Sequence, residues 1–114
     1  MSETLQNINS KSNILANPTT TKGAILFPSA VVDGQKIIVK NGTDKDLFVR
    51  GDFDTSTPLV FPTTDGVIGS IAAGTHILAG TAESYDLTKG MTQLSVVASA
   101  SSTGNVSIKI GNGS

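Results

Sequence analysis

The chain has no cysteine and no tryptophan, and only one histidine, one tyrosine and four phenylalanines in 114 residues. Without cysteine there is no disulfide framework, which points to maturation in a reducing compartment. A single imidazole and no thiolate cannot assemble a zinc centre without recruiting carboxylates. Few aromatics count against a stacking platform for sugar rings, which would have to be Tyr85 with a Phe, and none interleave with basic residues as single-strand binding requires. Eight basic and nine acidic residues nearly cancel, and the basic ones are scattered along the chain rather than gathered in a patch, which disfavours nucleic acid as a partner. No apolar run approaches the about 20 residues of a membrane span, and the N-terminus lacks the basic start and apolar run of a signal peptide. The expected address is therefore the cytoplasm or a particle assembled there.

What remains is aliphatic and alternating. In Gln93-Leu94-Ser95-Val96-Val97-Ala98-Ser99, Leu94, Val96 and Ala98 share one side of an extended chain, and in Asn105-Val106-Ser107-Ile108-Lys109-Ile110 the residues Val106, Ile108 and Ile110 do the same. A period of two scatters around a helix but lines one face of a strand. With the small, polar, glycine-containing residues 101–105 between them, these stretches predict a β-hairpin with one apolar and one wet face.

Residues 1–21 are rich in Ser, Asn and Thr, with Leu5, Ile8, Ile14 and Leu15 as their sizeable apolar residues. A segment so poor in buriable surface is expected to be a flexible arm that orders on a partner, with those four residues as its anchors. The folded domain is expected over residues 22–114. Gly23-Ala24-Ile25-Leu26-Phe27 reads as a first strand stopped by Pro28. Ala30-Val31-Val32 and Lys36-Ile37-Ile38-Val39-Lys40 flank Asp33-Gly34 as a second hairpin, with Ile37 and Val39 inward. Asn41-Gly42-Thr43-Asp44-Lys45-Asp46 reads as a turn, and Leu47-Phe48-Val49-Arg50 as the next strand. Residues 51–66 form a long excursion with a short edge strand at Leu59-Val60-Phe61, where surface contacts tend to gather. Val67-Ile68-Gly69-Ser70-Ile71, Thr75-His76-Ile77-Leu78 and residues 82–87 supply further strands, and residues 81–89 leave room for at most one helical turn. Seven to nine short strands at about ten-residue spacing predict one all-β sandwich with immunoglobulin-like or jelly-roll connections.

No catalytic constellation emerges. His76 has no nucleophile in a recognisable elbow to serve, and reads as a partly exposed structural residue. The pairs Asp44/Asp46 and Asp52/Asp54 have a spacing that calcium loops use, yet no closing Glu follows, so turn formation is the better account. Arg50-Gly51-Asp52 sits at a strand end and reads as coincidence. Three Asn-x-Ser/Thr sequons, at Asn41, Asn105 and Asn112, read as turn and strand residues. No cofactor, metal, nucleic acid or membrane is expected, nor enzymatic activity; a small hydrolase built on Ser and His76 stands only as a remote third reading.

Taken together, Ile37-Ile38-Val39-Lys40-Asn41-Gly42-Thr43, Ile71-Ala72-Ala73-Gly74-Thr75, Leu94-Ser95-Val96 and Thr103-Gly104-Asn105-Val106-Ser107-Ile108 give the chain a style that resembles the small β-sandwich proteins that decorate or cement the capsids of tailed bacteriophages. That resemblance implies a virion structural protein bound to the outside of a shell of coat protein, as a trimer or at contacts between coat subunits, with residues 1–21 ordering on the coat. The alternative from a different class is a carbohydrate- or receptor-binding module of a phage fibre or cell surface, with its site on residues 52–64 around Phe53 and Phe61.

Overall fold

The computed structural model describes residues 11–32, 34–54, 56, 58–62 and 74–112. Eight strands are found among them: β1 (Lys11–Ala16), β2 (Gly23–Leu26), β3 (Gln35–Thr43), β4 (Leu47–Asp52), β5 (Thr75–Ile77), β6 (Ala82–Asp86), β7 (Gln93–Ala98) and β8 (Gly104–Asn112). They build two four-stranded sheets, sheet A in the order β1-β8-β3-β6 and sheet B in the order β2-β7-β4-β5. Every described pairing is antiparallel, and β1 meets β8, β2 meets β7, β3 meets β6 and β4 meets β5. The first half of the chain thus folds back on the second as one long hairpin, rolled so that β3–β8 and β4–β7 pairs join its arms into two layers. This is jelly-roll topology, and the expected all-β sandwich is present.

The core lies between the layers and is aliphatic. Ile37 and Val39 on β3 and Val106, Ile108 and Ile110 on β8 meet Leu47 and Val49 on β4 and Leu94, Val96 and Ala98 on β7. Period-two alternation puts each set on one face of its strand. Fully burying one such side chain contributes about 1.5–3 kcal/mol.

Several expectations are corrected. The stretches 93–98 and 104–112 are not a hairpin, because β7 belongs to sheet B and β8 to sheet A. Their apolar faces meet across the sandwich instead of lying side by side. Nor is the second face of β7 wet, since all six of its residues are buried.

The boundary expected at residue 22 also moves. Lys11–Ala16 pairs with β8 from Lys11↔Ile110 to Ala16↔Asn105. After it, Asn17 takes a left-handed φ of 49° and exchanges hydrogen bonds with Gly104, while the Pro18 and Thr19 carbonyls accept from Ser102 and Ala98. Residues 11–21 therefore belong to the fold; residues 1–10, with Leu5 and Ile8, lie outside the described residues.

The hairpin expected around Asp33-Gly34 does not form a ladder. Val31 donates to the Met91 carbonyl and accepts from Gly90 N–H, which sinks its side chain into the core, and β3 pairs with β6 and β8. Asn41-Gly42-Thr43 continues β3 rather than turning. Buried Asn41 uses all its side-chain capacity there: Nδ2 donates to the Lys45 and Ile77 carbonyls, and Oδ1 accepts from the Thr43 N–H and hydroxyl. Residues 59–61 carry no ladder, whereas residues 82–86 are the strand expected there. The strand expected at residues 67–71 lies outside the described residues.

Candidate functional site

The two outer faces of the sandwich differ. On sheet B, Phe48 sits opposite both Val97 and His76. Leu59 covers Phe48 and Val97, and Phe61 meets the Phe48 ring edge-on at 6.4 Å and the His76 ring at 5.4 Å. The excursion that follows β4 is thus a cover laid over sheet B. Arg50 ties it down by donating from Nη2 to the Pro58 carbonyl at 3.0 Å.

Beside this cover runs a polar row. Arg50 pairs bidentately with Asp52, and Ser95 donates its hydroxyl to the Asp52 carboxylate. Burial raises the Asp52 carboxyl, but the bonds from Arg50 and Ser95 outweigh it and hold the group below the usual carboxylate range. Opposite Asp52, Gln93 is 2% exposed and its Nε2 lacks a hydrogen-bond partner.

On sheet A nothing among the described residues lies over the outer face. Register places Ile14, Ser107, Lys40 and Ala82 in one row across β1, β8, β3 and β6. Lys109 and Ile38 are opposed in the next row. Together these residues line a shallow trough of about 460 Å³. Ile14 is 57% exposed. At the β6 edge Lys36 is ion-paired with Asp86, whereas Lys40 and Lys109 have no ion pair among the described residues. The face therefore carries two isoleucines two strands apart, Ile14 on β1 and Ile38 on β3, interspersed with two cations that have no ion pair among the described residues and whose stems themselves cover apolar surface.

Of the four expected anchors, Leu5 and Ile8 lie outside the described residues; of the other two, Ile14 is on the surface. Leu15 packs against the core, on the opposite side of β1 from Ile14, because consecutive strand residues alternate faces. The sequence reading missed Ile38, Lys40 and Lys109 as companions of Ile14. The signal was the alternation of β3 itself: with Ile37 and Val39 inward, Ile38 and Lys40 must face out.

The other singled-out residues are accounted for locally. His76 Nε2 bonds Asp46 Oδ2 at 3.0 Å, and Asp46 Oδ1 accepts the Ala79 N–H at 3.0 Å. The Ala79 N–H, then the His76 bond, hold the Asp46 carboxyl below its ordinary value. Asp44 accepts the Thr103 N–H, which is the chief cause of its own lowered pKa. Asp54 accepts from Ser56. The two Asp-x-Asp pairs thus serve separate turns and ladders, and no group of three or more His, Cys, Asp or Glu that could hold a metal occurs among the described residues. Arg50-Gly51-Asp52 is a closed ion pair within a strand, not a displayed loop tip. Asn41 is fully buried, out of reach of glycosylation. In the segment expected to bind sugar or receptor, Asp52 and Phe61 are turned onto sheet B, which leaves Phe53 and Val60 as the exposed large apolar residues there.

A further feature lies between the sheets. At the edge where β5 and β6 face each other, a cleft of about 210 Å³ is lined by Ile37, Val49, Thr75, Tyr85, Leu87, Met91 and Leu94, among others. The Tyr85 hydroxyl is buried, faces Thr75, and completes no well-aligned hydrogen bond. Leaving such a group unpaired costs about 1–3 kcal/mol.

No protein-family model matches the chain, and no curated protein matches it. Among solved structures it is similar to a chain from Bacillus endospore appendages, described as a novel family of disulfide-linked pili, with 14% identity over 90% of this chain and 85% of that one and a TM-score of 0.47. At that distance the likeness does not bear on function.

Proposed function

We propose that this chain is a non-enzymatic structural protein that adheres to the outer surface of an assembled virus shell, binding coat protein through the open face of sheet A. The observation that carries the reading is the asymmetry of the sandwich. One sheet is covered by the chain's own excursion through Leu59 and Phe61, while the other presents Ile14 and Ile38 interspersed with Lys40 and Lys109, and none of the described residues is laid over them. An uncovered sheet face that mixes aliphatic and charged side chains is a surface suited to a protein contact.

Residues 1–10 precede β1 at the edge of the same sheet, so Leu5 and Ile8 can extend the contact onto the coat. Each copy needs only modest affinity on a repeating lattice, since a trimer or a bridge between coat subunits multiplies weak contacts. The capsid itself is suggested by the resemblance in style of residues 37–43, 94–96 and 103–108, which form parts of β3, β7 and β8.

Co-sedimentation with purified capsids tests this. The full chain is expected to pellet with the shells, and both Ile14→Asp and a chain lacking residues 1–10 to stay in the supernatant while keeping the wild-type circular dichroism. A cut after residue 21 is not the right control, because it removes β1 from sheet A. Wild-type binding by both variants overturns the proposal.

A further inference from the structure

The cleft between β5 and β6 plays no part in the surface adhesion described above, yet its chemistry is specific. Its walls are aliphatic, from Ile37, Val49, Leu87 and Leu94, with the adaptable thioether of Met91 on one side. Gly51 leaves room for that thioether, since a Cβ there would stand 2.5 Å from Met91 Sδ. The two charged residues on the rim are already engaged, Arg50 with Asp52 and Asp86 with Lys36. The buried Tyr85 hydroxyl, beside that of Thr75, completes no well-aligned hydrogen bond.

We propose that this cleft is a binding site for a small neutral ring compound carrying one hydrogen-bond acceptor. Size follows from volume: a cavity of about 150 Å³ lined by aliphatic side chains holds benzene, so about 210 Å³ takes a six-membered ring with one substituent. Neutrality follows from the rim, which has no uncommitted charge to meet an ion. The acceptor follows from Tyr85, whose phenol burial keeps protonated, with Glu83 adding to the effect, so that it enters the cleft as a donor. Water would satisfy the hydroxyl but leave the apolar walls unmatched.

The chain carries its own reporters. It has one tyrosine and two methionines, so the Tyr85 ring and the Met91 ε-methyl each give a single assignable NMR signal, with Met1 as internal control. Titration of the intact chain with cyclohexanol is expected to shift the Tyr85 and Met91 signals saturably and leave Met1 unmoved. Benzene is expected to shift the same pair. Tyr85→Phe should weaken cyclohexanol about fivefold, the value of one net hydrogen bond, and leave benzene unchanged. Leu87→Trp, which fills the cleft from a half-exposed position, should abolish both. If Tyr85→Phe does not fold, Thr75→Val provides the contrast: it keeps the hydroxyl and should keep the preference for cyclohexanol over benzene. Shifts that never saturate, or that move Met1 equally, show a water-filled cleft and overturn the site. Undiminished cyclohexanol affinity in Tyr85→Phe overturns the role given to the hydroxyl.

Discussion

Arg50 and Asp52 are two residues apart on β4, face the same side of sheet B, and close a bidentate ion pair with Nε–Oδ1 at 2.7 Å and Nη2–Oδ2 at 2.9 Å. The same guanidinium reaches the Pro58 carbonyl, and the same carboxylate accepts from Ser95 on β7, so the pair joins two strands to the cover over them. Asp52→Ala takes the bidentate carboxylate away from a guanidinium whose side chain is only 16% exposed. Urea unfolding is expected to show a loss of about 2–3 kcal/mol for Asp52→Ala and a smaller loss for the double variant with Arg50→Met, because the half-buried charge that lost its carboxylate is then gone as well.

Acid should weaken this fold in a defined window. The carboxyls of Asp44, Asp46 and Asp52 are all held below their ordinary value of 3.8, by Thr103, by Ala79 and His76, and by Arg50 and Ser95 against burial respectively. A carboxyl depressed by folding binds its proton more readily when unfolded. Its contribution is therefore complete above the unfolded value and is lost as pH falls through the folded one. Urea midpoints at fixed ionic strength should fall with acidification below about pH 4. Asp46→Asn should start from a lower midpoint at pH 7 and show a shallower acid fall; an acid limb unchanged from wild type would remove Asp46 from this account.

Much of the body was legible from alternation. Ile37 and Val39, like Val106, Ile108 and Ile110, point inward as their period-two spacing requires. Alternation, however, says which side of a strand meets the core and not which strand is its ladder neighbour. That is why 93–98 and 104–112, so alike in pattern, were read as one hairpin although they belong to opposite sheets. Burial of Val97 was illegible because its cover, Leu59, comes from a distant segment. The split between Ile14 and Leu15 was available in principle, since neighbours on a strand cannot both face out, once residues 11–16 are recognised as strand. Their ladder depends on β8, nearly the whole chain away, and local composition carries no trace of it.

Two glycines should respond differently to the same substitution. Gly104 has φ of +117° at the start of β8, and a Cβ there would lie 2.4 Å from the Gly42 carbonyl oxygen, which is ladder backbone with nowhere to retreat. Gly80 has φ of +79° in an open turn with nothing within 4 Å. Gly80→Ala meets only the conformational penalty of a left-handed residue, about 1 kcal/mol. Gly104→Ala adds a backbone clash and should cost at least about 3 kcal/mol, or prevent folding. Thermal melts of the two variants side by side check the ranking, and equal losses would contradict the close approach of β3 and β8.

Salt should discriminate between the two halves of the sheet A contact. Lys40 and Lys109 alternate with Ile14 and Ile38 and have no ion pair among the described residues, so in the proposed complex they meet carboxylates of the coat surface. Exposed charges are screened over about 8–10 Å at physiological salt, whereas burial of aliphatic surface is not. The variant Lys40→Gln/Lys109→Gln is expected to fold with stability within about 0.5 kcal/mol of wild type, since both residues sit on the outer face. Its capsid affinity should drop at low salt and converge on wild type near 0.5 M NaCl. Ile38→Ser should weaken binding at every salt concentration, because what it removes is apolar area. A lysine variant that binds like wild type at low salt would mean that the cations do not face the partner, and would shift the contact away from the β3–β8 half of the sheet.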